Sequence, residues 1–241
     1  MSKWTHDTFF RGRISVKQPP DGYRFSVDAV ILGNLARLKP GSRVLDLGTG
    51  CGVIPLILCH RNPELGQVFG VEIQPELAEI AAVNTRENRM DHRITILERD
   101  VTSMAPADTG GPLDAVVCNP PHFAPNSGRI NPDSQKAVAR HEIRITLPDL
   151  TAAAGRMLAP GGRMIVIYPS ERLVDLLNAM RRANIEPKEI RMIHPGPNSE
   201  AQRVLVHATL GKNPGVKVAP PLYIRRDARS YTDELEAMFA P

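Results

Sequence analysis

The sequence has little that would tie it to a membrane, an oxidising compartment or a metal. No apolar stretch in its 241 residues approaches the roughly 20 residues that a membrane-spanning helix requires. It has only three cysteines, Cys51, Cys59 and Cys118, each inside an apolar segment and at no paired spacing. They predict buried thiols in a reducing compartment, and argue against a disulfide framework or a zinc site; no metal is expected. Met1 to Arg13 is polar and charged, which excludes a secretory signal peptide, so the expected location is cytoplasmic. Internal repeats and low-complexity tracts are missing too, which excludes solenoids and long disordered segments.

What is present is ordinary in amount and uneven in place. Apolar residues make up 42% of the chain, enough for one large core. The net charge is +4, but Arg181 to Arg229 holds ten Lys or Arg against four Asp or Glu, and the first 24 residues hold five against two. Basic ends around a balanced middle suggest a polyanion partner approached by the termini.

The most informative stretch is Val44-Leu-Asp-Leu-Gly-Thr-Gly-Cys-Gly52. Val44 to Leu47 reads as the end of a buried parallel strand, and the apolar run from Val53 to Cys59 as the first turns of a helix. Gly48, Gly50 and Gly52 fall between them, where the backbone must turn sharply and admit a ligand closely. In an open α/β sheet that is where a nucleotide-like ligand sits. Glu72 closes a second apolar strand, Gln67 to Glu72, and is placed to accept hydrogen bonds from both hydroxyls of a ribose. Asp46, ahead of the turn, suits a ligand with positive charge and sits badly with a diphosphate. S-adenosylmethionine carries a sulfonium and an ammonium there, and the stretch resembles the first motif of class I methyltransferases.

The rest of the chain alternates helix and strand. Ser26 is a helix cap, with Val27, Val30, Ile31, Leu35 and Leu38 at helical spacing and Pro40-Gly41 as the stop. Further strands are expected at Ile94 to Leu97, Leu113 to Cys118, Arg163 to Tyr168, Glu189 to His194 and Arg203 to Leu210. Helices are expected from Pro75, from Leu147 to Leu158 before a Pro160-Gly161-Gly162 turn, and from a Ser170 cap to Ala183. Only a short turn separates the last two strands, so they should form an antiparallel hairpin at one edge. The expected fold is α/β: a Rossmann-like, seven-stranded mixed sheet, mostly parallel, with helices on both faces. One domain spans 1–241, with a lead-in over 1–40, a catalytic core over 41–212 and a basic tail over 213–241.

The fourth strand runs straight into Asn119-Pro120-Pro121-His122-Phe123. Two prolines hold an extended turn and force Asn119 out of the helical region. The Asn119 side chain and the Pro120 carbonyl can then converge beside the cofactor and accept from one –NH₂ group. The exocyclic amine of adenine is a poor nucleophile because its lone pair is delocalised into the ring. Two acceptors favour its pyramidal form and stabilise the positive charge that develops as it is methylated.

These residues resemble amino-methyltransferases with Asn-Pro-Pro-aromatic, and among them the bacterial tRNA1(Val) adenine-N6 methyltransferase group. The likeness includes Gly22 to Val30, Val44 to Gly52, Cys118 to Phe123, Ala139 to Glu142, His194-Pro195, Glu200-Ala201 and Pro220 to Leu222. The resemblance implies methyl transfer from S-adenosylmethionine, with S-adenosylhomocysteine as product, to the adenine beside the anticodon of a valine tRNA. It implies that Asp46 and Gly48 hold the methionine end and Glu72 the ribose, with Gly50, Gly52 and Asn119 also binding the cofactor. Ile73 would pack on the cofactor adenine, with Asp100 and Val101 at its edge and other face. Tyr23, Phe25 and Asp28 would lie near the methionine pocket, and Asn119 and Pro120 would bind the target amine. His122 stands where Tyr or Phe is usual, so either it or Phe123 would stack on the base. Arg140, Arg203, Lys212, Arg225, Arg226 and Arg229 are the candidate RNA contacts, although Arg140 fits a helix-start ion pair equally well. The partner would be tRNA or another structured RNA. The alternatives are an rRNA guanine-N2 enzyme, a protein glutamine N-methyltransferase, and a non-catalytic RNA-binding protein retaining the fold.

Overall fold

A computed structural model describes residues 4–20, 25–120 and 145–241. Its centre is a mixed sheet built as the alternation predicts. In chain order the elements are a hairpin of β1 (Thr5–Phe9) and β2 (Ile14–Gln18), then α1 (Val27–Leu35), β3 (Val44–Leu47), α2 (Val53–Arg61), β4 (Val68–Glu72), α3 (Pro75–Glu87) and β5 (Ile94–Glu98). β6 (Leu113–Cys118), α4 (Leu147–Met157), β7 (Leu158–Pro169), α5 (Leu173–Arg182), β8 (Ile185–His194) and β9 (Arg203–Leu210) follow. β10 (Lys217–Val218), β11 (Leu222–Tyr223) and α6 (Asp233–Phe239) complete the chain.

The sheet order is β10-β8-β9-β7-β6-β3-β4-β5, with β11 also against β8. β3 to β7 are parallel, and β9 lies antiparallel between β7 and β8, as the short turn before it required. From β3 the chain moves outward to β4 and β5, then returns to β6 on β3's other side. The crevice between the C-terminal ends of β3 and β6 is therefore the topological switch point.

Strand parity divides the core. Val44, Val68, Ile94, Ala115, Val117, Ile165 and Ile167 pack toward α1, α2, α3 and the β1–β2 hairpin. Their neighbours Leu45, Leu47, Phe69, Val71, Val116, Cys118, Met164 and Val166 pack toward α4 and α5. Two buried faces explain why the central strands read as continuous apolar runs.

Three expectations change in detail. Among the described residues the sheet has nine strands rather than seven, because β10 and β11 are two-residue edge pairings, too short to leave a periodic signal. The Pro160-Gly161-Gly162 turn is absorbed into β7 as an irregularity: Leu113 pairs with Leu158, yet Ala115 pairs with Arg163. Ser170 does not cap a helix; its hydroxyl donates to the Ala201 carbonyl, and α5 starts at Leu173. By contrast, Ser26 caps α1 as expected, its side chain accepting from the Asp28 N–H.

The segment 213–241, expected as a basic tail, is packed in place, and its four Lys or Arg are matched by four Asp or Glu. Leu235 and Met238 of α6 are buried against the α1–α2 side, and Arg61 donates to the carbonyls of Ala237, Met238 and Ala240. A helix of seven residues is far below the ~12–15 that an isolated helix needs. Burial of those two side chains, about 1.5–3 kcal/mol each, supplies what propensity does not.

Candidate active site

Asp46 and Glu72 continue the parity of Val44 and Val68, and Asn119, one residue past β6, continues that of Ala115 and Val117. Leu47 pairs with both Val71 and Cys118, so Gly48, Glu72 and Asn119 stand level at the carboxyl rim of adjacent strands. Three polar residues far apart in sequence thus share one face of the sheet at the switch point.

The glycine turn is held on both sides. The Gly48 and Thr49 N–H groups donate to the Val71 carbonyl at 3.0 and 2.9 Å. Glu72, 5% exposed, accepts from the N–H of Gly50 through one oxygen and from those of Ile73 and Gln74 through the other, each at 3.0 Å. Gly48 has φ +74° and open space where a Cβ would sit, which a ligand can occupy. Gly52 has φ +79°, and a Cβ there would come within 3.2 Å of the Ala81 Cβ, so the turn lies directly on α3.

Asp46 is fully buried, and neither of its carboxylate oxygens has a hydrogen-bond partner. Burial pushes its carboxyl up to about 7; the nearby Thr49 hydroxyl, close but outside hydrogen-bonding geometry, opposes this, and the Glu72 charge adds to it. Thr49 Oγ1 is likewise buried and unpartnered. A buried charge without a partner is costly, so this corner is arranged for a cationic or donor-rich ligand. Thr49 was not singled out from sequence; its place between two glycines of the turn was the available signal.

The hairpin reaches this turn through α3. Asn84, fully buried, donates to the carbonyls of Cys51 and Lys17, both at 2.9 Å, and accepts from the Lys17 N–H at 2.8 Å. Asn88 pairs in the same way with the backbone of Ser15. Two asparagines one helical turn apart therefore act as a substitute strand beside β2. Gln18, also fully buried, accepts from the Phe25 N–H at 2.9 Å, which fixes the approach to α1. The helix expected from Pro75 carried no assigned role for Asn84; an asparagine among apolar positions, four residues before another, was the signal.

The other expected residues are spread around the rim. Ile73 and Val101 are half-buried, and Asp100 caps a short helical turn by accepting from the Thr102 N–H at 2.8 Å. Asp28 lies in the first turn of α1, buried, and meets Arg203 rather than standing open to a ligand. Asn119 is half-buried and Pro120 buried. Tyr23, Pro121, His122, Phe123 and Arg140 lie outside the described residues. His194 bonds the Ser199 carbonyl through Nδ1 at 2.7 Å and packs on Tyr223, a structural role.

All three cysteines are buried and unpaired, as expected. Burial raises the thiols of Cys51 and Cys59 to about 12 and about 11, so neither is a nucleophile near neutral pH. Among the described residues, no cluster of three or more His, Cys, Asp or Glu is placed to hold a metal. No helix among them is long and apolar enough to cross a membrane.

Comparison with known proteins places this geometry in context. The family model described as methyltransferase small domain matches residues 27–183. A relative from Porphyromonas gingivalis named tRNA1(Val) (adenine(37)-N6)-methyltransferase is 33% identical over 205 residues, covering 83% of this chain and 79% of its own. A relative of the same name from Parabacteroides distasonis is 27% identical over 219 residues, covering 89% of this chain and 88% of its own. A crystal structure from Agrobacterium tumefaciens, described as a predicted O-methyltransferase, superposes with a TM-score of 0.70 at 25% identity. That alignment covers 88% of this chain and 97% of the other.

Proposed function

Because this chain belongs to the methyltransferase small domain family, we propose that it methylates the N6 amine of an adenine in tRNA with S-adenosylmethionine. The names of its relatives point to adenine 37 of tRNA1(Val) as the target. The observation that carries the proposal is the convergence of Asp46, Glu72 and Asn119 on one face at the switch point, with the Asp46 carboxylate buried and unpartnered.

S-adenosylmethionine supplies an electrophilic methyl group on a positively charged sulfur. Asp46 offers negative potential to the positively charged end of that ligand, and Gly48 leaves it room. Glu72 accepts three backbone N–H bonds and keeps lone pairs for ribose hydroxyls. That double duty couples the shape of the glycine turn to ribose recognition. Across the crevice, the Asn119 side-chain oxygen and the Pro120 carbonyl accept from the two protons of the target amine. They hold the nitrogen pyramidal and in line with the methyl, and their attraction grows as it becomes cationic. The product amine then loses a proton to water, so no strong base is required. A tRNA substrate supports the cytoplasmic location expected from the sequence.

Incubation of the protein with bulk unmodified tRNA and labelled S-adenosylmethionine, followed by nucleoside analysis, tests the proposal. Label in N6-methyladenosine is the expected result. Label in methylguanosine, or in protein glutamine only, would discard the substrate.

A further inference from the structure

An RNA that places one adenine at Asn119 must continue past it, and the described surface offers a track in one direction. β6, β7, β8 and β11 all end at the same rim, and antiparallel β9 begins there. From β6 through β7, β9 and β8 to β11 is four strand steps, about 19 Å at the usual ~4.8 Å spacing. That span corresponds to roughly five stacked nucleotides at ~3.4 Å each, or fewer extended ones.

Along it lies a cavity of about 850 Å³ between the end of β7 and the β8–β9 turn. Its wall includes Ser170 and Arg172 on one side and Ser199 and Arg203 on the other, with the carboxylates of Glu171 and Glu200. The carboxylates repel a bare phosphate but accept from a base amine, so the cavity suits a whole nucleotide. Arg172 touches the Tyr168 hydroxyl at 3.0 Å and the exposed Asp175 at 3.2 Å. Such an exposed pair is weak and yields to a phosphate.

Past β11 the chain forms a fixed loop. Arg225 bridges to Tyr231, and Asp227 accepts from the N–H groups of Arg229 and Ser230 at 2.8 Å. The Arg225 N–H donates to the Pro195 carbonyl at 3.0 Å, tying this loop to the turn that walls the cavity. The arginines are not equivalent. Arg226 is engaged by Asp233 at 3.0 Å and Glu236 at 3.5 Å. Arg225 lies over the Tyr231 ring, 5.1 Å from its centroid. The guanidinium of Arg229 has no partner among the described residues.

We propose that RNA on one side of the target crosses this rim as a single strand. A flanking nucleotide enters the cavity with its phosphate on Arg172, and phosphates further along meet Arg225 and Arg229. This rests on the RNA reading above and adds the path and Arg172, a residue not otherwise assigned to RNA.

Arg172→Ala and Arg229→Glu test the path, with kinetics on bulk unmodified tRNA and RNA oligonucleotides as competitors. The expected result is a tRNA KM about tenfold higher in each variant. The S-adenosylmethionine affinity and the melting temperature should match wild type. Each variant should also lose affinity for a long competitor carrying the adenine, and not for one cut back to the adenine on the side that crosses the rim. Unchanged tRNA KM in both variants, or equal loss on long and cut competitors, overturns the path. A wild-type protein that binds S-adenosylmethionine and methylates no RNA overturns the underlying reading and the path with it.

Discussion

Arg203 Nε lies 3.0 Å from Asp28 Oδ2, joining residues 175 positions apart in the chain. Sequence reasoning put Arg203 with the RNA contacts and Asp28 with the cofactor pocket; in the fold they hold each other. Arg203 begins β9 at the rim, and Asp28, with its side chain 8% exposed, sits in the first turn of α1. Asp28 is the shielded member, so loss of Arg203 removes a charge partner that water replaces poorly. Arg203→Ala should therefore lower the melting temperature and weaken cofactor binding while leaving most of the salt dependence of tRNA binding. In a double-mutant cycle with Asp28→Asn, thermal unfolding should give a coupling of about 1 kcal/mol. Additive effects would remove this account.

Asp46 gives the binding site a pH signature. Its carboxyl rises to about 7 in the folded protein, against about 4 in an unfolded chain. Between these values the folded state keeps a proton that the unfolded chain releases. The group's contribution to stability is thus present below about pH 4 and lost as pH rises toward 7. A cationic ligand favours the ionised form, so its binding releases a proton and strengthens from about pH 5 to 8. Asp46→Asn should flatten that dependence, weaken S-adenosylmethionine and raise the melting temperature of the protein alone at pH 8. Calorimetric titration across pH provides the check; a flat profile in wild type would contradict it.

The proposed role of Asn119 is to position the target amine, more than to hold the cofactor. Asn119→Ala should keep cofactor affinity within about twofold while kcat falls by about 10²–10³, the usual loss for one preorganised polar contact at a reacting centre. Full turnover in the variant would eliminate the amine-positioning role.

Asn84 and Asn88 separate fold support from site support. Both clamp β2, but only Asn84 also holds the Cys51 carbonyl in the glycine turn. Each alanine variant strands part-buried backbone groups, and Asn84→Ala strands the buried Cys51 carbonyl as well, at a cost of about 1 kcal/mol or more, so both should melt earlier. Only Asn84→Ala should raise the dissociation constant for S-adenosylmethionine several-fold. Equal weakening in both would mean that the hairpin affects the site only through overall stability.

The missed β1–β2 hairpin marks where local pattern ran out. Ile14, Val16 and Gln18 are its inward positions, but the last is polar, and its burial depends on hydrogen bonds to Asp7 and Phe25. The backbone N–H groups of Ser15 and Lys17 donate to the side chains of Asn88 and Asn84, about 70 residues away, which no strand periodicity reveals.

Sequence alone determined the alternating central elements, because strands buried on both faces must be continuously apolar. It determined the glycine turn, because positive φ at Gly48 and Gly52 excludes most side chains. It also placed Asn119 at a strand end, since the following prolines have no N–H to give to the sheet. Tertiary structure decided which charges remain available. Arg203 and Arg226 carry the same charge as Arg229, yet each faces a carboxylate brought in by folding. The partner of Arg203 is 175 residues away, and those of Arg226 lie on the helix that follows it, so the pairings depend on which strand ends and helix starts meet in space, a relation that the count of charges along the chain does not show.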